Sequence, residues 1–129
     1  MTSLIREIPL NTDAEKAWCA LRDPGNVAQA FAGVLVDAVF DGNVRSVTFS
    51  NGNVVEERIV AIDESRMRIA YTVCGDRFEH HHASIQISPE GPGRCRFVWI
   101  CDFLPEARRE VVEPLMDAGC AAFARNVAC

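Results

Sequence analysis

The sequence contains no long apolar run, no cluster of basic residues, and only one lysine among its 13 basic residues. A membrane-spanning helix needs about 20 consecutive apolar residues, so no membrane span is predicted. A net charge of −5 without a basic patch argues against a nucleic-acid partner. Arg6 and Glu7 occupy the place where a signal peptide has its apolar core, so we expect a cytoplasmic protein.

Compact catalytic and metal-binding motifs are also missing. There is no Gly-x-Ser-x-Gly elbow, phosphate loop or dinucleotide fingerprint. His80 and His82 share one strand face, but no third ligand is evident, so no metal site and no cofactor are expected. The cysteines form no Cys-x-x-Cys pair and are expected to be free, buried thiols: Cys19, Cys74, Cys95, Cys101, Cys120 and Cys129.

The order of predicted elements points to an α+β fold in a single domain over residues 1–129. A strand over residues 3–10 precedes two short helical segments, the first opened by a Thr12-x-x-Glu15 capping box and the second over residues 26–31. Six strands with period-two alternation follow. We predict these strands over residues 34–40, 44–49, 54–62, 67–73, 80–87 and 95–103.

The C-terminal segment carries apolar residues at helical spacing from Val112 to Val127. Pro114 interrupts this pattern, so we predict a kink or a new helix start there. A helix over residues 114–127 would reach about 20 Å, enough to cross a sheet. Nothing else in the sequence can cover the inner face of the strands, so we expect this helix to lie against them.

A series of short sequence features follows a characteristic order along nearly the whole chain. They include Glu15, Trp18, Leu21 and Asp23, then Arg45, Asn51-Gly52, Glu57 and Asp63, then Arg68, Tyr71 and Val73, then Ala83-x-Ile85-x-Ile87-x-Pro89, and finally Val98-Trp99 with Phe103-x-Pro105. In these features the chain resembles the START-like (SRPBCC) superfamily, in its bacterial polyketide cyclase/dehydrase-like branch. The resemblance implies the helix-grip fold, a curved antiparallel sheet of about seven strands around a long C-terminal helix, with a cavity between the two.

Strand alternation selects the side chains that face this cavity. The resemblance adds the inward set Val55, Glu57, Ile59 and Ala61. A two-residue turn at Asn51-Gly52 would turn Arg45 away, whereas a three-residue loop would place it beside Glu57. The candidate ligand-binding residues are Arg45, Glu57, Ile59, Tyr71, His81, Ala83, Ile85, Phe97, Trp99, Met116, Cys120 and Phe123.

Three of these candidates have side chains that could take part in proton transfer or bind a polar group of a ligand. Glu57 in an apolar wall must be paired or protonated, which suits either a general acid/base or a ligand anchor. Tyr71 can donate to a carbonyl oxygen, and His81 can exchange a proton near neutral pH. The alternative is that Glu57 pairs with a neighbouring arginine and that Tyr71 and Trp99 are core aromatics.

These residues and the expected cavity are consistent with three alternative functions. The first is binding of a small hydrophobic molecule of aromatic, polyketide-like or acyl (lipid) type. The second is a cyclase- or dehydratase-type enzyme that uses Glu57 with Tyr71 or His81. The third is a protein-interaction module with a filled core and an exposed apolar patch. Only the first needs nothing beyond the cavity, and a monomer or a homodimer would serve it.

Overall fold

The computed structural model describes residues 2–127 and shows seven strands in one antiparallel sheet. The strands run β1 Thr2–Leu10, β2 Leu35–Asp41, β3 Val44–Phe49, β4 Val54–Asp63, β5 Arg68–Val73, β6 His80–Pro89 and β7 Cys95–Leu104. Their spatial order is β1-β7-β6-β5-β4-β3-β2. The helices are α1 Ala14–Arg22, α2 Val27–Ala30 and α3 Arg109–Val127. The predicted α+β architecture is confirmed, and no predicted strand end is more than two residues from the observed one.

The long helix α3 packs against the concave face of the sheet through aromatic side chains. Phe123 is fully buried, with its ring centroid 4.8 Å from that of Phe97 on β7 and 5.3 Å from that of Phe31. A second attachment is polar. Arg6 on β1 donates to Glu113 at 2.8 Å and to Asp117 at 2.6 Å, and its hydrogen bond holds the pKa of Glu113 below the usual range. Within the described residues, no helix is both long and apolar enough to cross a membrane.

The beginnings of two helices differ from the prediction. Asp13, and not Thr12, stands at the N-cap of α1, because Asp13 is the last residue with extended backbone. Its carboxylate accepts from the Gly93 amide at 2.7 Å, which joins α1 to the β6–β7 turn. Helix α3 begins at Arg109 and runs through Pro114 without a new start. Pro114 lies on the exposed side, where water can satisfy the carbonyl that lacks a donor.

The inward alternation of β4 ends at a β-bulge. Ile59 is opposite Tyr71 but Ala61 is opposite Ala70, so one extra residue lies between the two pairs. The bulge reverses the facing of the strand beyond it. Ala61 is therefore exposed, contrary to its assignment to the inward set.

The cysteines are less uniformly buried than predicted. Cys95, Cys101 and Cys120 are buried, and burial raises the pKa of the Cys101 thiol to about 12 and that of Cys120 to about 11. Cys19 is exposed and Cys74 is half-buried. The remaining cysteine, Cys129, lies outside the described residues. The three buried thiols stay protonated at neutral pH.

Candidate functional site

Two adjoining cavities lie between the sheet and α3. The larger has a volume of about 140 Å³ and the smaller about 80 Å³, and both open towards solvent. An apolar cavity of about 150 Å³ can hold a molecule the size of benzene. The cavities share five lining residues, which are Phe49, Glu57, Tyr71, Trp99 and Leu115. The sheet and α3 thus enclose a continuous region of mixed apolar and polar character.

A buried ion pair forms the polar part of the shared wall. The Phe49 amide donates to the Asn53 carbonyl at 2.8 Å, which closes a three-residue loop over residues 50–52 between β3 and β4. This register places Arg45 directly opposite Glu57. Arg45 Nε donates to Glu57 Oε1 at 2.7 Å, and the two side chains are only 5% and 12% exposed. Each charge is therefore compensated by the other, and the loop length decides that Arg45 faces inward.

Tyr71 lies next to this pair. The Arg45 guanidinium carbon is 5.1 Å from the Tyr71 ring centroid, within range of a cation–π interaction. Burial, together with the negative charge of Glu57, raises the pKa of Tyr71 well above its ordinary value. The phenol is therefore protonated under all physiological conditions and can act as a hydrogen-bond donor in the cavity.

Trp99 occupies the boundary between the two cavities. Its ring lies 5.8 Å from that of Phe31 and 6.1 Å from that of Phe97. Gly119 on α3 makes room for it, since a Cβ there would lie 2.8 Å from the ring. The indole N–H is directed towards Tyr71 closely enough to oppose the rise in its pKa slightly, yet it has no acceptor in hydrogen-bond geometry among residues 2–127.

His81 is held as a neutral ring. Its Nδ1 accepts from the Val73 amide at 3.1 Å, so the proton resides on Nε2, which lies 3.4 Å from Cys101 Sγ. Burial, with smaller contributions from His82 and His80, lowers the pKa of His81 to about 4. The ring does not change charge near neutral pH, in contrast to the expectation from sequence. The raised pKa of Cys101 likewise excludes a thiolate–imidazolium pair.

This low pKa predicts a specific pH dependence of stability. Between about pH 6.5 and pH 4 the unfolded histidine binds a proton and the folded one does not, so acid favours unfolding. As the pH falls through this range, the wild type should lose up to about 3 kcal/mol more unfolding free energy than His81→Gln, which keeps an acceptor for Val73. Urea titrations at several pH values measure this difference. His80→Gln, at an exposed position, is the control and should keep most of the wild-type slope; equal slopes for wild type and His81→Gln would contradict the assignment.

The structure brings most of the sequence-predicted site residues together. Those that line the cavities are Arg45, Glu57, Tyr71, His81, Ile85, Trp99 and Met116. The others lie in the packed core beside the cavities, namely Ile59, Ala83, Phe97, Cys120 and Phe123. Strand parity selected the inner face correctly for Tyr71, His81, Ala83, Ile85, Phe97 and Trp99. Parity alone does not separate residues at the cavity wall from those packed behind it.

Several lining residues were missed by the sequence analysis. Leu115 lines both cavities, and its place in the apolar pattern of α3 was the signal that could have identified it. Arg77 and Phe78 come from the β5–β6 connection, and Arg108 comes from the 3₁₀ turn before α3. Irregular segments have no side-chain period, so no sequence pattern predicts which of their residues turn inward.

The three consecutive histidines of β6 lie on alternating faces of the strand: His80, His81 and His82. His81 faces the cavity, whereas His80 is exposed and His82 is half-buried on the other side of β6. Across residues 2–127, no three histidine, cysteine, aspartate or glutamate side chains converge in a way that could hold a metal ion.

Comparison with protein families identifies one match over the whole sequence. The profile of the family described as polyketide cyclase / dehydrase and lipid transport matches residues 1–129. No curated protein sequence matches the chain.

Solved structures share its fold. The protein XoxI from Bacillus cereus has a TM-score of 0.88 at 14% identity, covering 98% of this chain and 96% of that one. A START superfamily protein from Mycobacterium smegmatis has a TM-score of 0.81 at 12% identity, with coverage of 97% and 96%. Norcoclaurine synthase from Thalictrum flavum, in complex with dopamine and hydroxybenzaldehyde, has a TM-score of 0.73 at 15% identity, with coverage of 96% and 84%. Identities this low establish a common fold and nothing more.

Proposed function

Because the chain belongs to the polyketide cyclase/dehydrase and lipid transport family, we propose that it binds a small hydrophobic molecule between the sheet and α3. The observation that carries this proposal is the larger cavity, whose volume of about 140 Å³ is enough for a benzene-sized group and adjoins a second cavity of about 80 Å³. A protein-interaction module would be expected to fill this space with side chains. Norcoclaurine synthase, which shares the fold, is an example of a protein that holds aromatic molecules.

The composition of the wall supports an apolar ligand with few polar groups. Most lining side chains are aliphatic or aromatic. The polar ones are Arg45, Glu57, Tyr71 and His81 on the sheet and Asn51, Asn53, Arg77 and Arg108 on the connecting segments. Such a wall gains affinity from burial of the ligand and orientation from a small number of hydrogen bonds. Tyr71, which stays protonated, is one donor available to a ligand oxygen.

Binding without catalysis is the function that we favour over a cyclase or dehydratase. General acid/base chemistry needs a group that is free to exchange protons near neutral pH. Arg45 already holds the Glu57 carboxylate, and the Val73 amide already holds the basic nitrogen of His81. Both candidate bases are therefore engaged by the protein.

A residue that lines both cavities provides the test. Leu115→Trp should fill the space and weaken binding of the neutral fluorescent probe N-phenyl-1-naphthylamine at least tenfold, whereas the wild type should bind about one probe per chain. Leu115→Phe should give an intermediate loss. Fluorescence titration measures affinity, and thermal unfolding without probe checks that each variant is folded.

The matched control lies on the same helix. Ala121 is exposed, so Ala121→Trp adds an indole to α3 without entering the cavity and should leave the affinity unchanged. Wild-type affinity in a folded Leu115→Trp protein would show that the probe binds elsewhere. A wild type that binds no probe would contradict the proposal itself.

A further inference from the structure

Two residues that line the larger cavity, Trp99 and Arg108, each carry a buried donor without an acceptor in hydrogen-bond geometry among the described residues. Within residues 2–127, neither Trp99 Nε1 nor Arg108 Nε has a hydrogen-bond partner, although both atoms are buried from solvent. Both residues line the larger cavity. Buried polar groups are almost always paired in folded proteins, so two unpaired donors at one cavity need an explanation. A bound molecule that brings oxygen acceptors would supply it.

The positive charge of the same cavity wall indicates that the missing oxygen acceptor belongs to an anion. Arg77 and Arg108 both line the larger cavity, and neither has a carboxylate partner among the described residues. Arg77 donates only to the Val54 carbonyl, at 3.0 Å, while the Arg108 guanidinium carbon lies 5.3 Å from the centroid of the Phe78 ring. Glu57 is the only acidic residue in this wall, and Arg45 balances it.

The cavity is therefore locally positive in a chain whose net charge is −5. A positive site with an apolar interior selects an anion that carries an apolar body. Arginine also pairs with carboxylates through charge-assisted hydrogen bonds, which are stronger than neutral ones.

We propose that the ligand of the larger cavity is an amphipathic carboxylic acid. Its carboxylate binds Arg108, with Arg77 adding positive charge, while its apolar body lies between the sheet and α3. The Trp99 indole donates to an oxygen of the same ligand. This assignment rests on the proposed function, because it requires the cavity to be a binding site. Aromatic acids and fatty acids both satisfy this chemistry.

Paired compounds of equal shape test the carboxylate. Calorimetric titration of the protein at pH 7.5 with 2-naphthoate and 2-naphthamide, and with octanoate and octanamide, compares charged with neutral heads on aromatic and acyl bodies. We expect each acid that binds to do so at least tenfold more tightly than its amide. The pair with the higher affinity identifies the type of apolar body.

Substitutions at Arg108 test where the carboxylate binds. Arg108→Met keeps an apolar stem beside Phe78 but removes the charge, and it should weaken acid binding about tenfold while leaving amide binding unchanged. Arg108→Lys, which keeps the charge, should recover most of the affinity. Arg109→Met is the matched control, because the neighbouring Arg109 is exposed and does not line the cavity. Trp99→Phe should weaken acid and amide alike by a few-fold, since both supply an oxygen.

The outcomes separate this inference from the proposed function. Equal affinity of acid and amide for the wild type would overturn the carboxylate assignment while leaving hydrophobic binding in place. Loss of acid binding in Arg109→Met equal to that in Arg108→Met would overturn the position of the head group. Failure of all four compounds to bind, together with failure of the neutral probe, would overturn both.

Discussion

Glu57→Ala should lower the free energy of unfolding by about 3–5 kcal/mol, because it leaves the Arg45 guanidinium buried without its counter-ion. Arg45 is 4% exposed, so water cannot replace the lost carboxylate without entering the cavity wall. Urea denaturation at pH 7 measures the effect. The same substitution removes a carboxylate from an apolar wall, yet the unpaired arginine makes the net result destabilising.

A double substitution separates the ion pair from the packing of its members. Arg45→Met with Glu57→Leu removes both charges and keeps similar volumes, so its stability should lie within about 1 kcal/mol of the wild type or above it. The control is the half-exposed pair of Arg96 and Glu90, where Glu90→Gln should change stability by less than about 1 kcal/mol. If the double variant were as unstable as Glu57→Ala, loss of the counter-ion would not be the cause.

Phe123→Ala should cost about 3–5 kcal/mol by leaving a cavity where α3 meets the sheet. The ring is fully buried against Phe97 and Phe31, and these aromatic contacts hold the helix over the concave face. Denaturant unfolding with a constant m-value would report this as a change in stability alone.

Phe40 supplies the comparison for this substitution. It lies on edge strand β2 with 39% of its surface exposed, so Phe40→Ala removes the same atoms from a much less buried site. Its cost should be about 1 kcal/mol. Similar costs at the two positions would mean that α3 is not anchored to the sheet through Phe123.

The regular elements were predictable because local periodicity encodes them. Alternating apolar residues from Val44 to Phe49, ended by a turn at Asn51-Gly52, specify a strand regardless of what it pairs with. The apolar face of the last helix likewise required a sheet to cover, which determined the helix-grip arrangement. Parity also placed Tyr71 and His81 on the inner face before any distance was known, and the family resemblance implied the same for Glu57.

What these inward groups do was decided by contacts between distant parts of the chain. The pairing of Arg45 with Glu57 depends on a loop one residue longer than the turn signal indicated. The neutral state of His81 depends on the Val73 amide and on burial, and neither is visible in the residues beside it.

The sequence by itself determined the order of strands and helices and the inward face of most of them, because side-chain alternation is a local property of the backbone. Only the tertiary structure decided which inward residues border empty space. Phe97 and Trp99 share one face of β7, yet Phe97 fills the core and Trp99 borders the cavity beside Gly119. Packing across the sheet–helix gap makes that distinction, since it depends on the volumes of residues far apart in the chain.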